Sequence, residues 1–321
     1  MEPTGSPEPM RLSIVTTLYR SAPYIEEFHR RVSAEAGRIT TDYEILFVDD
    51  GSPDDSLRVA VALTANDPRV RVIELSRNFG HHRAMMTGLR RARGELVFLI
   101  DIDLEEAPEW LTQFHDILRR EDVDVVYGYQ ERRKGGWLER SGGALHWWLI
   151  RLLSDYPIPH SHVTARLMKR SYVRSLLQHR EQQTALGGLW AMTGYRQRGA
   201  VVTKGWRGTS SYSFGKRLAM VFEGLTAFSG KPLMLVFTGG VGIFLLASAI
   251  AAYLIFLRLT GVVLEGWVSV MVSVWILGGL CIASIGVVGL YTARIFMETK
   301  RRPYSIVRAA YGYPAEQHEQ T

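Results

Sequence analysis

The chain has 321 residues, with 38 Lys and Arg against 32 Asp and Glu, a net charge of +6 and 47% hydrophobic residues. That length holds one large domain or two ordinary ones, and so much apolar material excludes a wholly disordered chain. A lone cysteine, Cys281, excludes a disulfide framework and any CxxC zinc or redox site. The pI near 9.4 favours an anionic partner, nucleic acid or a membrane surface, without choosing between them.

Residues 1–10 are rich in Pro and Glu and have no apolar h-region, so they read as a flexible tail and not as a signal peptide. From residue 11 to about 170, short apolar runs alternate with helical patterns. Leu12–Thr17, Glu44–Val48, Val70–Leu75 and Leu96–Ile100 have strand length and β-rich composition. Tyr24–Ala36, Ser56–Asn66, His82–Arg91 and Pro108–Arg120 are long enough for helices, and Asp122–Tyr129 carries a further strand. Such alternation implies βαβ units: an α/β fold with a mostly parallel sheet and helices on both faces. Segment 171–212 is mixed. Gly215–Ser229 is amphipathic and opens on Lys216 and Arg217, a pattern that fits either a helix lying in a membrane interface or an ordinary core helix. Leu233–Leu257 and Gly266–Ala293 are uncharged runs of 25 and 28 residues. At about 1.5 Å per residue, either outspans a hydrocarbon core of roughly 30 Å, so the two form a transmembrane hairpin.

In open α/β sheets, ligands bind beyond the carboxyl ends of the strands. Two acidic pairs fall there: Asp49-Asp50 after Ile45–Val48, and Asp101-Ile102-Asp103 after Leu96–Ile100. Burying carboxylates at a strand end is costly without a cation. In Asp101-Ile102-Asp103 a divalent ion is able to bridge both carboxylates to a diphosphate, although a solvated acidic turn fits the same three residues. Ser52 reads as a helix N-cap with Pro53 at the first helical position and Asp55 closing the first turn. That leaves Asp49 and Asp50 without a structural task.

These residues, taken in order, resemble the inverting glycosyltransferases of family 2 with the GT-A (Rossmann-like) fold, and more narrowly the polyprenyl-phosphate type. The resemblance rests on Val48-Asp49-Asp50-Gly51-Ser52, Leu75-Ser76-Arg77-Asn78-Phe79-Gly80-His81, Asp101-Ile102-Asp103-Leu104 with Pro108-Glu109, Arg166-Leu167-Met168, Gly208–Ser213, and Phe228-Ser229 with Pro232-Leu233 leading into the apolar runs. It covers roughly residues 12 to 300. It implies a nucleotide-sugar pocket of Thr17, Tyr19, Val48, Asp50, Asp101, Ile102 and Asp103, with Tyr19 and Asp50 on base and ribose. It implies Mg²⁺ or Mn²⁺ on Asp101 and Asp103, with Glu105 as a third carboxylate ligand. Asp103, Arg133 and Arg207 carry the chemistry in this reading, the arginines on phosphate oxygens, which their planar fork matches. Arg207, Lys216 and Arg217 face the lipid phosphate and the membrane. The chain departs from the family pattern at Arg20-Ser21 (for Asn-Glu), Glu105 (for Gln), Thr164 (for Asp) and Ser211 (for Lys).

The implied reaction moves a sugar from a UDP- or GDP-linked donor to a polyprenyl phosphate with inversion. A phosphate acceptor is already an anionic nucleophile, so the loss of a carboxylate at Thr164 is tolerable. The domain plan is a tail (1–10), a catalytic domain (11–214), an interfacial helix (215–232), two spanning helices (233–293) and a basic tail (294–321). Positive residues flank the outer ends of the hairpin, whereas its connector, Arg258–Glu265, has one Arg; this places the catalytic part in the cytoplasm on a multi-pass inner-membrane protein. Small residues such as Gly239, Gly240, Gly242, Gly278 and Gly279 suit close helix packing, in a homo-oligomer if copies associate. Competing readings are transfer onto a lipid-linked saccharide and a non-catalytic scaffold; the retained Asp50, Asp101 and Asp103 oppose the latter. Nucleic acid is not an expected partner, because the basic residues gather around the membrane runs. No GxGxxG follows the first strand, against a dinucleotide oxidoreductase.

Overall fold

The structure is a computed structural model and describes residues 11–130, 162–179, 186–205, 231–260 and 266–313. The chain divides into two compact units. One contains 11–130, 162–179, 186–205 and 302–313, and the other contains 231–260 and 266–301.

The first unit is a mixed α/β sheet. In chain order it runs β1 (Leu12–Leu18), α1 (Ile25–Ile39), β2 (Tyr43–Asp49), α2 (Ser56–Thr64), β3 (Val70–Leu75), α3 (His81–Arg91), β4 (Leu96–Leu99), α4 (Trp110–Glu121) and β5 (Val125–Tyr129). After a gap in the described residues come β6 (His162–Lys169), α5 (Arg170–Leu176), α6 (Leu186–Met192) and β7 (Gln197–Val201). The strand order is β7-β5-β6-β4-β1-β2-β3-β8, where β8 (Val307–Tyr311) comes from the far C-terminal end. β1 pairs parallel with both β2 and β4, and β2 parallel with β3, as the βαβ alternation implies. β6 is antiparallel to β4 and β5, so its first residues lie at the same sheet edge as the ends of β1, β2 and β4. β7 is parallel to β5, so the chain leaving it emerges at that edge too.

β1 and β2 are buried along their whole length because helices cover both faces. Phe28 and Val32 of α1, Ala60 of α2 and Trp110, Leu111 and Phe114 of α4 join Ile14, Phe47 and Phe98 in one core; each such side chain contributes about 1.5–3 kcal/mol when fully buried. On the opposite face α3 approaches the sheet through Gly88. A Cβ there would lie 2.5 Å from Val15 Cγ1 and 2.9 Å from Val48 Cγ2.

Two local expectations are corrected. Ser52 does not cap α2, which begins at Ser56 after Asp55. Asp54 organises this turn instead: its carboxylate accepts hydrogen bonds from Ser52 Oγ (2.5 Å), Ser56 Oγ (2.5 Å), Ser56 N (3.2 Å) and Ala22 N (3.3 Å). Asx geometry of this kind competes with a simple N-cap. Nor is the C-terminal segment only a basic tail, since residues 302–313 belong to the first unit. An unpaired sheet edge exposes a row of backbone donors and acceptors, and β8 covers that of β3 antiparallel. Tyr311 Oη donates to Glu74 Oε2 (2.7 Å), Arg308 pairs with Glu74 (3.2 Å), and Tyr313 packs between Arg71 and Arg93. Arg71 in turn meets the fully buried Glu44 (3.1 Å).

The second unit holds α7 (Lys231–Leu259) and α8 (Trp267–Thr299), of 29 and 33 residues. Their windows Leu233–Ile250 and Ile276–Thr299 have mean hydropathy 2.3 and 1.9 and are not buried within the protein. At about 1.5 Å per residue both are long enough to cross a bilayer.

Two glycines test how the sheet is covered. Gly88→Ala should destabilise by about 1–3 kcal/mol through overpacking against Val15 and Val48. Gly37→Ala, with open space around it in α1, should be neutral or stabilise by about 0.5–1 kcal/mol. Chemical denaturation of both variants decides; equal effects would mean that α3 does not seat through Gly88.

Candidate active site

The edge where β1, β2 and β4 end collects the charged groups. Asp49 closes β2 and Asp50 follows it, and Asp101 follows β4; Thr17 stands in register with Val48, and Val15 with Leu99. The expected pocket residues Thr17, Val48, Asp50 and Ile102 are all buried. Tyr19, 47% exposed, stands just past the end of β1. Arg20-Ser21, a departure from the family pattern, ties the end of β1 to the turn before α2. Arg20 N donates to Ser52 Oγ (2.7 Å) and Ser21 N to Ser56 Oγ (2.8 Å).

Asp50 is held from behind. Its oxygens accept Phe79 N (2.7 Å) and Gly80 N (3.0 Å), fixing the turn that opens α3. Gly51, at φ +62°, lets that turn approach: a Cβ there would lie 2.5 Å from Asn78 N. Burial pushes the Asp50 carboxyl above its ordinary value, and the two N–H donors only partly offset it. Neighbouring Asp49 is pushed up to about 6, by burial first, against hydrogen bonding from Ser52 N (3.3 Å).

The turn held by Asp50 delivers His81, which begins α3. His81 Nδ1 lies 2.9 Å from Thr17 Oγ1, and Nε2 lies 3.2 Å from Asp101 Oδ1. The ring therefore spans the ends of β1 and β4. Burial opposes its charge, but Asp101 outweighs it and the imidazole is raised above its usual value. For Asp101 burial alone would raise the carboxyl; His81 and Lys204 hold it lowered instead.

Glu106 is fully buried behind Asp101. Its Oε1 accepts Thr164 N (2.9 Å) and pairs with Lys204 Nζ (3.1 Å), while Asp101 N approaches Oε2 (3.5 Å). Burial, then the charge of Asp101, pushes Glu106 up to about 7. Beneath them Arg166 of β6 is almost wholly buried against Trp190, with its Nη1 unpartnered, and burial lowers its guanidinium to about 9.

Two residues on from Asp101, Asp103 Oδ1 accepts Glu105 N (3.0 Å). Among the described residues no three His, Cys, Asp or Glu side chains converge to hold a metal, so the structure does not assemble Glu105 with the pair as a third ligand. Two carboxylates still fit Mg²⁺, which keeps waters and takes phosphate oxygens for its remaining positions. Asp101 Oδ1 is paired with His81 Nε2 at 3.2 Å, and its second lone pair is left for such an ion. Arg133, Arg207, Lys216 and Arg217 lie outside the described residues.

Sequence reasoning gave no role to His81, Glu106 or Lys204. His81 was within reach, as it ends the Arg77-Asn78-Phe79-Gly80-His81 run. Glu106 and Lys204 carry no local signal, because β4 and β7 bring them together from about a hundred positions apart.

Residues 13–177 match the family described as Glycosyl transferase family 2. A relative from Mycobacterium tuberculosis (strain CDC 1551 / Oshkosh), named as a glycosyltransferase, is 52% identical over 304 residues, covering 94% of this chain and 89% of its own. The SfII prophage-derived bactoprenol glucosyl transferase of Shigella flexneri is 28% identical over 305 residues, covering 94% of this chain and 99% of its own. The crystal structure of Staphylococcus aureus TarS 1–349 in complex with UDP-GlcNAc covers 68% of this chain and 66% of that one, at 19% identity and a TM-score of 0.45.

The buried Asp49 supplies a pH test. Because its carboxyl is raised to about 6 in the fold, the stability it allows is complete below its unfolded value of 3.8 and is lost as the pH rises through 6. Asp49→Asn should gain on the wild type across that window, by up to about 3 kcal/mol. Thermal unfolding of both proteins in detergent between pH 4 and pH 7 measures this; a pH-independent difference would contradict the account.

Proposed function

The chain belongs to glycosyl transferase family 2 and is a glycosyltransferase; on that premise we propose that it moves a sugar from a UDP- or GDP-linked donor onto a polyprenyl phosphate, with inversion, at the cytoplasmic face of an inner membrane. The observation that carries this reading is the pairing, in one chain, of a cation-balanced acidic strand edge with two uncovered apolar helices of membrane-spanning length. The bactoprenol glucosyl transferase of Shigella flexneri, aligned over almost its whole length, supports the acceptor class.

In this proposal Tyr19 and Asp50 meet the base and ribose of the donor, lined by Thr17, Val48 and Ile102. Asp101 and Asp103 hold Mg²⁺ or Mn²⁺. When bound, such an ion neutralises charge on the departing nucleoside diphosphate. His81, braced by Thr17, keeps Asp101 ionised and oriented toward that position. A phosphate acceptor attacks as an anion, so the chain's task is alignment and exclusion of competing nucleophiles. Thr164 fits that task, since it offers its backbone N–H to Glu106 and places no carboxylate beside the acceptor. Arg133 and Arg207 take phosphate oxygens, with Arg207, Lys216 and Arg217 on the lipid side. Residues 11–214 form the catalytic part in this plan, 215–232 the interfacial helix and 233–293 the membrane hairpin, with 302–313 returning to the catalytic unit.

A second reading, transfer onto a lipid-linked saccharide, has one observation in its favour. Thr164 and Ser211 stand where the family pattern has Asp and Lys, so the acceptor end of the site departs from the polyprenyl-phosphate type.

The test incubates full-length protein with radiolabelled UDP- and GDP-sugars and polyprenyl phosphate, followed by organic extraction. We expect label in a mild-acid-labile lipid phosphodiester, none with EDTA, and loss of about 100-fold or more in a folded Asp103→Asn variant, as for other groups that stabilise transition-state charge. Label confined to a larger lipid-linked saccharide, with polyprenyl phosphate inert, would replace the first reading by the second.

A further inference from the structure

Lys204 stands three residues past the end of β7, in a segment pinned to the acidic loop: Gly205 N donates to Glu105 O (2.9 Å). Its Nζ meets Glu106 Oε1 at 3.1 Å, and Glu106 is locked from its other side by Thr164 N. An ammonium has three N–H donors. Glu106 takes one, and the side chain is 26% exposed, so solvent or an anion meets the others. The same ammonium lies in the field of Asp101 and Asp103. A nucleoside diphosphate brought to Asp101 and Asp103 meets their negative charge with that of Glu106 close behind, offset in part by His81 on Asp101. One divalent ion on the pair does not balance that many negative charges. Lys204 adds a cation of the protein's own at this mouth, mounted on a buried carboxylate that aims it.

We propose that Lys204 is a donor-binding residue that contacts the diphosphate directly, at the phosphate beyond the first, and that the buried Glu106 is its positioning residue. The proposal rests on the nucleotide-sugar reading above. It differs from a purely structural role, in which Lys204 only neutralises Glu106, by requiring the ammonium to distinguish a diphosphate from a monophosphate. A compact point charge on a flexible stem suits a phosphate that changes position as the bond to the sugar breaks.

Calorimetric titration of the full chain in detergent with UDP, GDP, UMP and GMP, with Mg²⁺ and with EDTA, separates the two roles. Lys204→Met should weaken the preferred diphosphate by about 10- to 100-fold, the worth of a charge-assisted hydrogen bond, and the matching monophosphate by less than about twofold. Lys204→Arg should recover part of the loss. Lys204→Met leaves Glu106 unpaired and lowers stability, so the double variant Glu106→Gln/Lys204→Met is measured beside it. That variant should regain the wild-type melting temperature and keep the diphosphate defect. If it binds diphosphate like the wild type, or if mono- and diphosphate weaken equally, Lys204 is a structural counter-ion and the proposal is overturned. If the wild type binds no nucleotide even with Mg²⁺, the nucleotide-sugar reading fails and takes the proposal with it.

Discussion

Three carboxyl groups, those of Asp50, Asp101 and Glu106, are drawn out of bulk water at one edge of the sheet, and the arrangement around them follows from that cost. An ionised carboxylate buried without partners is expensive enough that a protein must either neutralise it or surround it with donors. Each is met differently. Asp50 receives two backbone N–H groups from the turn before α3. Asp101 faces the imidazole of His81. Glu106 receives Thr164 N and the ammonium of Lys204. The donors come from three separated segments, so satisfying the charges also fixes how α3, the β6 start and the β7 exit stand around the strand ends. The same contacts that make the cluster tolerable shape the strand edge at which the donor is proposed to bind.

This division explains why some of the site was legible in the sequence and some was not. Asp101 and Asp103 declare themselves because a carboxylate pair directly after an apolar run of strand length has few structural uses. The same run of residues signals β4, and the parallel core β1–β4 follows from apolar periodicity alone. Glu106 gives no such signal: it looks like one more acidic residue before α4, and only the antiparallel return of β6 shows that it is buried behind Asp101. Ser52 misled for a related reason. Its position suits an N-cap, but Asp54 holds more of the available donors and claims the turn. The strand β8 was hidden by a basic composition that reads as a tail, although Tyr311 and Tyr313 are its anchors to Glu74, Arg71 and Arg93.

The segment that follows α8 has a consequence for how the two units are linked. Only a few residues separate Thr299, the last residue of α8, from Ser305, whose hydroxyl lies 2.7 Å from Thr87 Oγ1 on α3. Ser76 N then donates to Ile306 O (2.9 Å) before β8 begins. The helix that carries His81 is therefore also the helix to which the chain returns from its long apolar segment.

The proposed function turns on a divalent cation held at this acidic edge together with the donor diphosphate. Electron paramagnetic resonance of Mn²⁺ tests it most directly, because free and protein-bound Mn²⁺ differ in signal. Titrating full-length protein into Mn²⁺ with UDP or GDP should remove more free-ion signal than the nucleotide does alone, and Asp103→Asn should abolish that difference while leaving the fold intact. Uptake by Asp103→Asn equal to that of the wild type would contradict the account.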